Sequence, residues 1–338
     1  MALSSVTARF YRQQNNRIHC TLCPHNCAIR EGSSGLCGVR LNSGGELNLP
    51  YYGGASALAV DPIEKKPLYH FYPGSEILSI GFVGCPLRCP FCQNYRISQS
   101  TSARTRRISP EQLVAAARDS GSIGIAYTYN EPIIHIEFVL ESARLARRHG
   151  LQNVLVTSGQ VNPEPAEELF CAMDGTNIDL KSFNEQFYRR ELAGDLASVK
   201  EAIRIAAAHC HLEITTLVIP GKNDGSAEIE AMARFIADLR PTIPYHLSAY
   251  YPAYRYVTES TSPATIERLA AVARRHLAFV YSGNVSGANH TDCPACGRRL
   301  IERSGYHVCS AGLAGRNCIA CGTPIAVVTA AAADSAGG

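Results

Sequence analysis

From residue 77 onward the chain alternates short apolar, β-rich runs with longer stretches whose apolar positions recur at helical spacing. The runs at 77–84, 123–129, 153–158, 177–182, 212–219, 245–251 and 279–283 predict strands. Between them lie helix signals. Ser109 precedes Pro110 with Gln112 three residues after the serine, and Ser262 precedes Pro263. In 226–239, Ile229, Met232, Ile236 and Leu239 fall on one face, and a helix over 133–149 stops before Gly150. Repeated β-then-α units predict a parallel sheet with right-handed crossovers. About six units are too few for a closed eightfold barrel, so the expected fold is α/β, an open partial (β/α)6 TIM-like barrel.

That topology predicts where chemistry collects, because loops after parallel strands converge on one face. Polar residues cluster at those ends: Cys85 after the first strand, Asn130 and Glu131 after the second, Thr157 and Ser158 at the third, and Asp179 and Lys181 at the fourth. Glu213 and Thr215 lie on the fifth, His246 and Ser248 on the sixth, and Asn284 follows the last. Polar groups in apolar strands need partners or a polar pocket, so they are expected to line one. For Glu213 and His246 a satisfied core position is the competing expectation. The charged run Glu64-Lys65-Lys66-Pro67 reads as a solvated turn.

The chain of 338 residues carries a net charge of +3 and no basic block, which argues against nucleic acid as a partner. No apolar run reaches the roughly 18–20 residues that span a bilayer, and the N-terminus has no apolar secretory core. A cytoplasmic protein with no membrane partner is expected. Fourteen cysteines fall mainly into three clusters with metal-ligand spacing. Cys171 and Cys210 stand apart and read as buried thiols.

The first cluster, Cys20, Cys23, Cys27 and Cys37, is a complete set of four thiols. Structural zinc and an auxiliary iron–sulfur cluster both suit it. The last, Cys293, Cys296, Cys318 and Cys321, pairs two C-x2-C knuckles with 21 residues between them, the pattern of a zinc ribbon or of a rubredoxin-like iron site. Cys309 is left over. The central cluster differs. Cys85, Cys89 and Cys92 at C-x3-C-x2-C spacing are one ligand short. A [4Fe-4S] cluster held by three cysteines keeps one iron open; a zinc knuckle lacking its fourth ligand is the alternative.

The C-x3-C-x2-C motif, with Phe91 before its last cysteine, resembles the signature of the radical S-adenosylmethionine (SAM) superfamily. With the segments EKKPLYHFYPGS (64–75), GCPLRCPFCQN, AYTYNEP, NIDLKSFNEQFYR and LEITTLVIPGKND, the chain resembles the AmmeMemoRadiSam-system radical SAM enzymes, relatives of pyruvate formate-lyase activating enzymes. The resemblance implies a [4Fe-4S] cluster on Cys85, Cys89 and Cys92, SAM on its open iron, and a ferredoxin or flavodoxin as electron donor. It also implies Memo-like and AMMECR-like partner proteins. Phe91, Asn130, Glu131, Thr157, Ser158, Asp179, Lys181, Glu213 and His246 become candidates for cofactor contact. At 129–130 the chain has Tyr-Asn where relatives carry Gly-Gly before Glu-Pro. An activating enzyme for a glycyl-radical partner is the second functional reading, and a non-enzymatic zinc-binding interaction protein the third. The implied organisation is a Cys-rich segment over 1–75, a radical SAM core over 76–285, a zinc-ribbon or rubredoxin-like module over 286–329 and a disordered tail over 330–338.

Overall fold

A computed structural model describes residues 6–14, 17–287 and 289–329; the tail expected over 330–338 lies outside the described residues. Eight strands form the central sheet: β1 (Ala57–Pro62), β2 (Glu76–Gly81), β3 (Gly124–Tyr127), β4 (Gln152–Thr157), β5 (Gly175–Asp179), β6 (His211–Val218), β7 (Tyr245–Ala249) and β8 (Val280–Gly283). Their spatial order is their chain order, β2 to β8 are mutually parallel, and β1 runs antiparallel along β2. Crossovers that always step the same way place every helix on one face. The sheet therefore curls around its other face as an open barrel. The six crossover helices are α1 (Pro110–Asp119), α2 (Ile136–Arg148), α3 (Pro163–Cys171), α4 (Leu196–His209), α5 (Ser226–Leu239) and α6 (Pro263–Ala273).

Local chemistry sets these boundaries. Ser109 and Gln112 complete a reciprocal capping box at α1, and the Ser262 and Asp195 side chains cap α6 and α4. The run expected to be helical from residue 133 opens instead with a 3-10 turn, Pro132–His135, before α2. The strand expected over 77–84 stops at Gly81, although Phe82 and Val83 are fully buried.

The barrel interior is filled from below by a segment that the charge pattern assigned to solvent. Ile63, Leu68 and Phe71 pack with Ile77, Ala126 and Val154 as an apolar plug. Glu64 and Lys66 are buried with them, and only Lys65 of the charged run has a substantially exposed side chain. The solvated-turn expectation fails because the apolar residues around the charges anchor the segment inside the barrel. Ala57–Pro62, placed by sequence in the N-terminal Cys-rich segment, is likewise a strand of the main sheet.

Two small antiparallel modules flank the barrel. The N-terminal one docks on α2 through Arg40, whose guanidinium donates to both oxygens of Glu137 at 2.9 and 3.0 Å with both side chains buried. The C-terminal one closes the barrel's lower end. There His70 bridges Ala326 O (2.9 Å) and the Tyr281 hydroxyl (2.6 Å), and Arg303 donates to Tyr69 O (2.6 Å). Among the described residues no helix is long and apolar enough to cross a membrane.

Candidate active site at the strand ends

Cys85, Cys89 and Cys92 lie on the loop that leaves β2 and open into a cleft of about 370 Å3 at the carboxyl ends of the strands. A larger groove of about 470 Å3 lies between α2 and α3 on the outer layer. It is remote from the strand ends, so the chemistry is assigned to the cleft.

The cysteine loop is held from several sides. Asn130, in the cleft wall, accepts from Phe82 N (3.0 Å) and donates to Gly84 O (2.9 Å), so its amide clamps the strand exit. Arg88 N donates to Leu192 O (2.7 Å), and Arg255 N donates to Pro90 O (2.8 Å). Gly84 sits at φ +83°, where a Cβ would meet Cys37 O at 2.4 Å, so this turn requires glycine.

Glu131 is buried at the cleft wall and already saturated. Its carboxylate accepts from Thr157 Oγ1 (2.7 Å), Ser158 N (2.9 Å), Ser158 Oγ (2.5 Å) and Ile133 N (3.2 Å). Burial pushes its pKa up against these bonds. The three candidates Glu131, Thr157 and Ser158 thus form one network joining the ends of β3 and β4. Tyr129 takes the left-handed φ of +69° that glycine would adopt without strain. Its ring covers Gly81, and its hydroxyl donates to Asp61 Oδ2 (2.5 Å).

On the opposite wall Lys181 donates to Asp179 Oδ2 at 2.8 Å. Burial disfavours the Lys181 charge, but Asp179 and the neighbouring Cys89 more than compensate and raise its pKa. Burial pushes the Cys89 thiol up to about 11, with Lys181 pulling the other way. The Cys85 thiol is also raised, by burial and then by Glu131. A positive metal centre would reverse these shifts. Phe91 is buried and stacks toward Phe187 and Tyr256.

Glu213 and His246 do not reach the cleft. Residues 213, 215 and 217 share one face of β6, and Thr215 and Leu217 line the cleft while Glu213 lies deeper. Its carboxylate accepts from Tyr69 N (3.0 Å), His70 N (2.6 Å), His211 Nε2 (3.0 Å) and His246 Nε2 (2.6 Å). Burial alone would raise its pKa, yet these partners hold it well below the usual carboxylate range. The cofactor-contact expectation for both residues is therefore corrected: they fasten the plug inside the barrel.

The cleft also contains Lys66, which the charge pattern assigned to solvent. It is paired with Asp61 at 2.7 Å and lies 4.7 Å from the Tyr129 ring centre. The alternation of Ile63 and Leu68 around the charges was the available signal. Thr215 Oγ1 is buried without a partner. Three thiols on one wall, with an unsatisfied hydroxyl in the same cleft, fit a three-cysteine cluster carrying a polar organic ligand.

At the C-terminal module Cys293, Cys296, Cys318 and Cys321 bring their sulfurs within 4.8 Å of one another. The set fits a single tetrahedral ion, zinc or iron. Cys309 is exposed and outside this set. Cys20, Cys23, Cys27 and Cys37 wall one internal cavity together with Arg40, and His25 beside them reaches Pro86 O at 3.0 Å. Cys210 is partly buried, but Cys171 is exposed at the end of α3, contrary to expectation. Its sulfur lies 3.2 Å from His209 Nδ1, whose Nε2 lies 2.5 Å from Glu167. The helix pattern there did not reveal which side faces out.

Comparison with known proteins bears on this arrangement. The family described as the radical SAM superfamily matches residues 79–236. An uncharacterised protein of Methanocaldococcus jannaschii is 36% identical over 332 residues, covering 95% of this chain and 99% of its own length. The pyruvate formate-lyase-activating enzyme of Listeria monocytogenes is 24% identical over 214 residues, which is 57% of this chain and 86% of that enzyme. A solved domain of the pyruvate-formate lyase-activating enzyme of Bacteroides vulgatus is 21% identical, with a TM-score of 0.43, covering 48% of this chain and 99% of that one.

Proposed function

The chain belongs to the radical SAM superfamily and is an enzyme, and from that premise we propose that Cys85, Cys89 and Cys92 hold its [4Fe-4S] cluster and that it acts on its substrate within an AmmeMemoRadiSam-type system. The observation that carries the site assignment is the set of three thiols opening, without a fourth, into the cleft at the strand ends. When bound there, the cluster and SAM supply one-electron cleavage of a SAM carbon–sulfur bond and abstraction of a hydrogen atom from the substrate.

The chain's own residues bind, orient and exclude water. Lys181 favours thiolate at Cys89, and Asn130 fixes the loop that presents the thiols. Glu131, Thr157 and Ser158 hold two strand ends in register. The free Thr215 hydroxyl and the Asp179 carboxylate offer polar contacts for the amino-acid and ribose parts of SAM. Phe91, packed against Phe187 and Tyr256, gives the cleft an apolar side that keeps water from a reactive ligand. A ferredoxin or flavodoxin class donor supplies single electrons, and Memo-like and AMMECR-like proteins are the proposed partners.

The test is anaerobic reconstitution, reduction with SAM present, and measurement of 5′-deoxyadenosine. Product is expected from the wild type and none from Cys89→Ala. An intact cluster that yields no product would overturn the reading. The partial match to a pyruvate formate-lyase-activating enzyme supports a second reading, activation of a glycyl-radical partner. That reading requires a glycine-centred paramagnetic signal on the partner enzyme; its absence with candidate partners leaves the first.

A further inference from the structure

The two terminal cysteine sets have the same ligand count but different geometry. In the C-terminal set, the sulfur pairs Cys293–Cys321 and Cys296–Cys318 are each 3.7 Å apart, and all four sulfurs lie within 4.8 Å. A single tetrahedral ion with bonds of about 2.3 Å requires sulfurs about 3.8 Å apart, so this set is gathered for one ion.

The N-terminal set is not. Cys20, Cys23, Cys27 and Cys37 surround one internal cavity. Yet among the described residues no other group of three His, Cys, Asp or Glu brings its ligand atoms within 4.8 Å. Cys85, Cys89 and Cys92 share that wider spacing around their cleft. Four thiols arranged around a space, without converging on a point, suit a cube whose irons each take one cysteine. None of the four is in a disulfide.

A second observation comes from Arg40, which walls the same cavity and is 1% exposed. Its terminal nitrogens are bound to Glu137, but its Nε has no partner. A buried, unsatisfied N–H beside four thiols is matched to the sulfur of an anionic metal–thiolate complex, and such bonds tune cluster potential.

We propose that Cys20, Cys23, Cys27 and Cys37 hold a second [4Fe-4S] cluster, with Arg40 Nε donating to one of its sulfurs. Its ligand set is closed, so it takes no SAM. It lies against the other cysteine loop: Cys37 O blocks any Cβ at Gly84, and His25 holds Pro86 O. The proposal stands whether or not the reading of residues 85–92 is correct.

The test uses the full chain in which Cys85, Cys89 and Cys92 are all replaced by Ala, reconstituted anaerobically. About four sulfide per chain are expected, half the wild-type content, together with about four iron beyond any single ion in the C-terminal set. Zinc at the N-terminal site with no iron or sulfide would overturn the proposal. Equal iron in wild type and variant would instead remove the cluster from 85–92 and leave this one standing. If the variant does not fold, paramagnetic resonance of the reduced wild type decides. Two cluster signals, one of them unmoved by SAM, are expected; one signal wholly shifted by SAM would refute a second cluster.

Discussion

Asn130 holds the cysteine loop from both sides with one amide, bonding Phe82 N and Gly84 O. Replacing it with Ala leaves two backbone groups without partners, at about 1–3 kcal/mol each where water cannot reach them. Asn130→Ala should lower unfolding free energy by that order in denaturant titration and release iron faster from the reconstituted protein. Unchanged iron retention would show that the loop is held elsewhere. The position was legible as part of the site, but its role was not, because its partners lie 46 and 48 residues away on the loop that leaves β2. Gly81 makes a similar point about Tyr129. An alanine Cβ there would stand 2.8 Å from the ring, so Gly81→Ala should displace Tyr129 and cost about 1–3 kcal/mol by overpacking, read as a lower unfolding midpoint.

The order and type of the repeating elements were written in the hydrophobic periods, and the helix expected over 226–239 is Ser226–Leu239. The ends were less legible. The strand over 77–84 looked longer than β2 because Phe82 and Val83 are apolar; side-chain clamps, not ladder bonds, carry the chain there. The plug at 63–75 was misread because charges outweighed apolar residues in a local count. Burial of Glu64 depends on Gly74 N and on Arg303 of the C-terminal module, and that of Lys66 on Asp61 and the distant Tyr129 ring. Glu213 joins that plug to β6 and β7. Glu213→Ala should destabilise the protein by about 3–5 kcal/mol, since it strands two backbone N–H groups and two histidines. SAM affinity of the folded fraction, measured by equilibrium dialysis, should stay unchanged. A loss of affinity at unchanged stability would put the deep layer back into the site.

At the scale of the whole molecule, barrel, plug and C-terminal module meet at His70, and that junction makes stability depend on pH. Ala326 O accepts from Nδ1, which places the proton there and leaves Nε2 to accept from Tyr281. The tyrosine oxygen shares a 2.7 Å bond with Thr291, which in turn accepts from Arg303 at 2.9 Å. A neutral imidazole fits this chain and a second proton has no acceptor, so burial pulls the His70 pKa down to about 4. His135, buried against Val83 O beneath the cysteine loop, is pulled to about 4 by the same cause. The unfolded chain binds these protons near pH 6.5 and the folded chain does not until about pH 4. Stability from both groups is thus complete above pH 6.5 and declines as pH falls toward 4, by about 1.4 kcal/mol per unit for each histidine. His70→Gln removes one of the two. Whatever its stability at pH 7, its unfolding free energy should fall less steeply between pH 6.5 and 4 than that of the wild type, by about 1.4 kcal/mol per pH unit. Parallel wild-type and variant slopes would mean that His70 is already protonated in the folded protein, and that the bond to Ala326 O does not fix its tautomer.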